Sequence, residues 1–300
     1  MTEPIERLYD QYRRERAYRS PVGGFTLSDF AGKFGERLSG MDRVTEDAGG
    51  RGGALYYTLG EEGGCRVCDT PVWGYWAEDE GTLCRLFTRL AERVLEDGDT
   101  LFRIRLYAHD TGAQRLLAMT QFGYMAERGI CPIERLTELS SSGREELRTL
   151  TKEEICSRWP ELWGMTGAIV RHLQRPPVCY PGAEFTEEVY REFYLDGGTA
   201  LHAAFSPEGG LAGIIESNGE PDFFPGDGRR SVNVGEAYVT PERRGSGLAA
   251  RLLRHAAVYE RDRGAAVMWV EHGTANPNAR GFWGKYFDTY QYEMDRLIRV

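Results

Sequence analysis

Arg244, Gly245, Ser246 and Gly247 stand between an apolar strand pattern and an amphipathic helix pattern, an order of residue types suited to holding a phosphorylated ligand. Glycines at 245 and 247 let backbone N–H groups approach an anion closely. The helix N-terminus adds a favourable partial charge, and Arg244 supplies a permanent cation. A pyrophosphate would fit there. The flanking elements follow from periodicity: Ser231–Val239 reads as a strand, and Leu248, Leu252, Leu253, Ala256, Ala257 and Tyr259 form the apolar stripe of a helix. Pro241 separates the two.

Arg244, Gly247 and Ala249 match the Arg/Gln-x-x-Gly-x-Gly/Ala signature, and on these residues the loop resembles the acetyl-CoA-binding segment of the GNAT acetyltransferase superfamily. The resemblance extends downstream. Gly264–Glu271 reads as another buried strand, and Asn276-Pro-Asn-Ala279-Arg-Gly-Phe282-Trp283 matches the superfamily's Asn-x-x-Ala-x-x-Phe-Tyr helix, with Trp283 in place of the tyrosine. The resemblance implies an α/β (α+β) fold: a mixed, mostly antiparallel sheet flanked by helices, with a splayed central strand pair.

A fainter copy of the same pattern lies roughly 165 residues earlier, which implies duplication of a whole domain. Leu83–Val94 reads as a helix, Leu101–Tyr107 as a strand and Gly112–Tyr124 as a helix running into a strand. Where the second half has its glycine loop, the first has Trp76-Ala-Glu-Asp-Glu-Gly81. Three carboxylates at a helix N-terminus suit capping but repel a pyrophosphate. A polar break at Ser140–Gly143 divides a degenerate domain, 1–140, from an acetyl-CoA-binding domain, 141–300. Within the latter, Leu147–Thr151 reads as a first strand, Lys152–Gln174 and Glu184–Tyr194 as helical, and Ala200–Phe205 with Gly210–Glu216 as a hairpin. Glu216–Arg229 reads as a turn-rich loop of the kind that shapes a cleft or simply connects.

Composition narrows the function further. The 300 residues carry a net charge of −9, which argues against non-specific nucleic-acid binding. No run of eighteen apolar residues and no signal-peptide pattern appears, so a cytoplasmic, membrane-free protein is expected. Lysine is confined to Lys33, Lys152 and Lys285, a bias that accompanies G+C-rich bacterial genomes. Cys65 and Cys68 are close enough for a metal knuckle, with Cys84, His109 or Cys131 as further ligands, but reduced thiols on an ordinary strand are the preferred reading and no metal is expected.

Transfer of an acetyl group to an amine needs a deprotonated nucleophile, an anchored thioester and a donor to the developing oxyanion. The resemblance implies that backbone groups near Tyr238 and Val239 hold the acyl-pantetheine arm. It also assigns the pyrophosphate to Arg244, Gly245, Ser246, Gly247, Leu248 and Ala249, and contacts nearby to Asn276, Phe282 and Trp283. Glu236 is the first candidate base, since alternation puts it on one strand face with Tyr238 just ahead of the cofactor segment. Glu271 and His272 come next, and for each of the three a solvated or hydrogen-bonded side chain is the other reading. Trp283 cannot act as the acid, because an indole N–H is not a practical proton source. Tyr286, one turn on, could replace the family's tyrosine, or solvent could protonate the thiolate.

The expected function is direct acetyl transfer from acetyl-CoA to a small-molecule amine, with the acidic balance favouring a cationic one. A non-catalytic CoA-binding sensor or interaction module of the same fold is the alternative. A monomer and a homodimer are both compatible with two copies in one chain.

Overall fold

Strand and helix periods condense into two units in the computed structural model, which describes residues 2–18, 25–48, 51–96, 98–180, 185–219 and 230–300. One unit is Met1–Arg128 with Asp288–Val300, and the other is Gly129–Phe287.

The first unit runs α1 (Thr2–Tyr18), α2 (Leu27–Ser39), β1 (Asp42–Ala48), β2 (Arg51–Glu62), β3 (Cys65–Thr70), β4 (Tyr75–Ala77), α3 (Glu80–Leu95), β5 (Thr100–Tyr107), α4 (Thr111–Met119) and β6 (Gly123–Pro132). The end of β6 passes into the second unit. There follow α5 (Ile133–Thr137), β7 (Glu146–Thr149), α6 (Lys152–Ser157), α7 (Trp159–Leu173), α8 (Glu187–Leu195), β8 (Thr199–Phe205), β9 (Leu211–Asn218), β10 (Arg230–Val239), α9 (Leu248–Asp262), β11 (Ala265–Gly273) and α10 (Pro277–Trp283). The last strand, β12 (Asp288–Ile298), returns to the first unit.

The two units share a pattern of strand pairing. In the first, β2 pairs antiparallel with β3 and again with β4, while β3 pairs parallel with β5 from Arg66↔Thr100 to Thr70↔Ile104. In the second, β9 pairs antiparallel with β10, and β10 pairs parallel with β11. The interrupted strand β3–β4 therefore corresponds to β10, and α3 to α9. The α/β architecture is the expected one.

The compact units do not follow the expected division at 140/141. Antiparallel pairing of β12 with β5, from Gln291↔Tyr107 to Ile298↔Thr100, places the chain's last strand in the first unit. In exchange, Ile133 and Leu136 of α5 are buried with Leu253 and Ala257 of α9 in the second unit's core, where Arg254 Nε donates to the Thr137 carbonyl at 3.0 Å. The polar stretch at Ser140–Gly143 is a loop after this crossing, not the boundary itself.

Nearly continuous burial along β8 and β9 makes the second unit a sheet covered by helices on both faces. Ala204, Ala212 and Ile215 face α5 and α9, while Leu201, Ala203, Phe205 and Ile214 face α6, α7 and α8. The expected single helical stretch 152–174 is split: Thr151 and Glu154 form a capping box for α6, and Arg158 leaves helical geometry at φ −102°, ψ 12° before Pro160 restarts the helix. In the first unit, Phe87 of α3 meets Phe102 and Phe122 edge-on at 5.5 and 5.1 Å. Cys65 and Cys68, three apart on β3, turn to opposite faces, and among the described residues no group of three or more His, Cys, Asp or Glu side chains could hold a metal ion. Residues 220–229 of the expected loop, and the first residue of the expected 184–194 helix, lie outside the described residues.

A polar chain crosses the core of the second unit. Ser217 Oγ donates to Glu260 Oε1 at 2.7 Å, His202 bridges Ser217 at 3.0 Å and Thr149 at 2.9 Å, and Thr149 lies 3.4 Å from His255. Burial, with nearby His255, pushes His202 down to about 3. A histidine held neutral contributes stability that is present above its unfolded value, about 6.5, and is lost as pH falls towards the folded one. We predict that in urea titrations His202→Gln lowers stability at pH 7 by about 1–3 kcal/mol. The variant should lose less than the wild type between pH 7 and pH 5, and equal acid losses in the two proteins would refute this account.

Candidate functional site

The site begins where two parallel strands part. β10 and β11 pair from Arg230↔Ala265 to Asn233↔Trp269, and the pairing stops there although β10 continues to Val239 and β11 to Gly273. On its other edge β10 stays with β9, but its register slips between Val234↔Ser217 and Ala237↔Ile215. Gly235 and Glu236 thus oppose the single residue Glu216, which is a β-bulge. The bulge adds local twist and bends β10. A cavity of about 670 Å³ occupies the wedge, lined on the two strands by Gly235–Val239 and by Glu271, His272 and Gly273.

At the end of β10 a short 3₁₀ turn, Pro241–Arg243, leads to the glycine loop. Gly245 and Gly247 have φ of +76° and +83°, left-handed conformations that favour glycine. Gly247 occupies the N-cap of α9 and offers no side-chain cap, so the first-turn N–H groups are left for a ligand or water. Arg244 is exposed, donates through Nε to the Val239 carbonyl at 3.2 Å, and lies over the Tyr238 ring at 5.8 Å. Arg244 and Ala249 line the cavity, whereas Gly245, Ser246 and Gly247 form its exposed rim and Leu248 is buried in the core behind. Glu145 anchors this corner, bonding Arg251 Nη1 at 2.5 Å and reaching Arg243 at 3.5 Å. The cleft thus has an uncapped helix start and a cation at one end and the parted strands beyond.

Glu236 faces the cavity from the bulge. Tyr190 of α8 donates to its Oε1 at 2.9 Å. Burial raises the Glu236 carboxyl above the ordinary range, and the Tyr190 hydroxyl opposes this by stabilising the ionised form. Tyr190 itself is pushed up by burial and by Glu236, so it stays a proton donor. Glu271 and His272 line the same cavity from the end of β11.

Asn276 caps α10, its Oδ1 accepting the Ala279 N–H at 3.2 Å. The same oxygen lies 3.2 Å from His172 Nε2, so that nitrogen carries the proton. Asn276, Phe282 and Trp283 all line the cavity, and Trp283 is also buried in the core against Phe287. Tyr286 does not continue α10: the helix ends at Trp283, Gly284 is its C-cap, and the Tyr286 ring packs edge-on to Phe282 at 5.3 Å, outside the cavity lining. The chain turns there because Phe287 must reach the core.

Sequence reasoning missed the opposite wall. His172 on α7, and Tyr180 and Phe185 beyond it, line the cavity, and Tyr190 holds Glu236. No motif marks them, and helical periodicity places a residue on a face without saying what that face meets.

The corresponding place in the first unit is built differently. Asp79 caps α3, accepting the Thr82 N–H at 2.7 Å, and its carboxyl is held down at about 2 by that bond, by the Thr82 side chain and by Arg51. A smaller cavity of about 280 Å³ there is lined by Glu78, Asp79, Glu80, His109 and residues of α1.

Residues 168–288 match the acetyltransferase (GNAT) family. In structure the whole chain is similar to a GCN5-related N-acetyltransferase from Sphaerobacter thermophilus, with 14% identity over 99% of this chain and 93% of that one, at a TM-score of 0.54. It is also similar to the GCN5-related glucosamine N-acetyltransferase region of a fungal multi-domain GH3 beta-N-acetylglucosaminidase, with 12% identity over 99% of this chain and 37% of that one, at a TM-score of 0.53. A tandem GNAT protein from the clavulanic acid biosynthesis pathway aligns at 15% identity over 98% of this chain and 95% of that one, with a TM-score of 0.47. No curated protein matches the chain in sequence. Among the described residues no helix is long and apolar enough to cross a membrane. The glycine loop, the parted strands and the capped α10 all fall inside the matched segment, which is a GNAT acetyltransferase domain.

Proposed function

We propose that the second unit transfers an acetyl group from acetyl-CoA to the amine of a small cationic molecule, directly and without an acyl-enzyme. The observation that carries this reading is the cavity itself: it opens where β10 leaves β11, with the uncapped α9 and Arg244 at one end and the carboxyls of Glu236 and Glu271 within. Acetyl-CoA, when bound, supplies the activated acyl group as a thioester. The loop from Arg244 to Ala249 holds its diphosphate through N–H groups and the guanidinium, and backbone groups freed on β10 near Tyr238 and Val239 align the arm. Asn276, Phe282 and Trp283 close the far side.

Glu236 takes the proton that an ammonium must lose before its nitrogen can attack, and Tyr190 orients that carboxylate. The C–N bond forms as the C–S bond breaks, the nitrogen gives its second proton to water, and the thiolate takes a proton from water, since Tyr286 is not among the residues lining the cavity. Among the described residues Arg244 is the one arginine or lysine lining the cavity, whereas the carboxyls of Glu236 and Glu271 line it together with the aromatic rings of Tyr180, Phe185 and Phe282. Carboxylates with aromatic faces favour a cation. A CoA-binding module without turnover remains the second reading, favoured by Trp283 at the place of the family's tyrosine. Soluble, cytoplasmic bacterial life and a monomer or homodimer belong to the same proposal.

Calorimetric titration with acetyl-CoA should give one site per chain, because Asp79 already fills the equivalent helix end in the first unit. An Arg244→Ala, Gly247→Asp double variant should bind about 100-fold more weakly or worse, having lost charge-assisted hydrogen bonds and gained left-handed strain. Absence of wild-type binding would sink the proposal.

With spermidine and aminoglycosides as probe amines, thiol release should reveal turnover, and Glu236→Gln should slow it by about 10²–10⁴-fold. Activity should rise with pH through a limb above the ordinary carboxylate range, and Tyr190→Phe should move that limb to higher pH because the ionised carboxylate loses a donor. If no amine accelerates thiol release from a protein that binds acetyl-CoA, the non-catalytic reading replaces this one.

A further inference from the structure

Opposite the bulge, Glu216 is 2% exposed, yet it carries a carboxyl. Its Oε2 accepts from Asn218 Nδ2 at 3.2 Å, and it also accepts the backbone N–H of Glu236. A Cβ on residue 235 would lie 2.4 Å from Glu216 Oε1, so the carboxyl occupies the space that a side chain at 235 would need. Gly235 and Glu216 thus fit only each other: one lacks a side chain where the other places its oxygen. We propose that Glu216 is a positioning residue for the transfer, a neutral carboxylic acid that pins the Gly235–Glu236 bulge and thereby aims Glu236 into the cavity.

The surroundings support a neutral acid. The ionisable groups acting on Glu216 are Glu236 from β10 and Glu260 from α9, and those on which it acts in turn are Tyr190 and Tyr194 from α8. All four are neutral or negative at pH 7, and the polar partner on its own strand is the uncharged Asn218. Burial, then Glu236, raises Glu216 to about 8, while the Asn218 and Glu236 hydrogen bonds oppose the shift. The sign is specific: a carboxyl whose folded value is raised costs stability as pH climbs from about 4.5 towards 8, because the folded state retains the proton longer.

The role in transfer rests on the acetyltransferase reading, but its test does not. Carbon-13 NMR of glutamate-labelled protein, with Glu236→Gln to assign the Glu236 carboxyl, would follow both groups with pH. The wild type should show one buried carboxyl titrating near 8 that is absent from Glu216→Gln. Glutamine keeps the acceptor oxygen, so Glu216→Gln should leave the Glu236 signal and acetyl-CoA affinity within about twofold of wild type. Glu216→Leu removes the acceptor and should shift the Glu236 titration and weaken acetyl-CoA by about tenfold. Gly235→Ala displaces the carboxyl without altering it and should reproduce the leucine pattern even if Glu216→Leu fails to fold. A Gly235→Ala protein with the wild-type Glu236 titration, or a glutamine variant as disturbed as these, would overturn the proposal. Wild-type protein that shows the carboxyl at 8 but binds no acetyl-CoA would overturn the acetyltransferase reading alone.

Discussion

Everything at the site depends on the loss of hydrogen bonding between β10 and β11 beyond Asn233 and Trp269. Backbone N–H and C=O groups are ordinarily paired when buried. Parting two central strands is tolerable only where something else receives those groups, and here the parted edges line a cavity open to a ligand or to water. The bulge lets β10 hold its pairing with β9 while bending away from β11. Its two extra demands, a glycine at 235 and an acceptor for the Glu236 N–H, are met by one neighbour, Glu216.

The second constraint is the helix that follows. α3 and α9 stand at equivalent places, yet one begins with an aspartate that satisfies its own N–H groups and the other with a bare glycine at φ +83°. A carboxylate at the N-cap supplies internally the negative charge that the helix end attracts. Removing it leaves the end available to an external anion and forgoes about 1 kcal/mol of capping. The two helix starts therefore differ by a single capping side chain, present on α3 and absent from α9.

The interior of the second unit also buries several ionisable groups. Glu216, Glu236 and Glu260 lie near one another, and His202 is wholly buried. Burial raises the Glu216 and Glu236 carboxyls, and the chain from Glu260 through Ser217 to His202 supplies hydrogen bonds that make the burial of these polar groups tolerable. One such group, Glu236, opens into the cavity, which is where a shifted carboxyl can do acid–base work.

The loop and α10 were legible in the sequence because their physics is local. Positive φ needs glycine, an uncapped helix start needs the absence of Asp or Ser, and Asn276 caps the helix that begins at its own position. Strand and helix periods likewise gave the repeated pattern, and Asp79 announced that the first copy's helix would close on itself. Tertiary structure alone decided the rest. β12 joined the first unit because pairing partners far apart in sequence leave no trace in either strand's own pattern. Tyr286 left the cavity because Phe287 had to reach the core, and Tyr190, His172 and Glu216 arrived from three separate elements whose periodicity marks a face but not what it will touch. Local conformational energy is written residue by residue, whereas the meeting of side chains distant in sequence is set only when the sheet and its helices have packed.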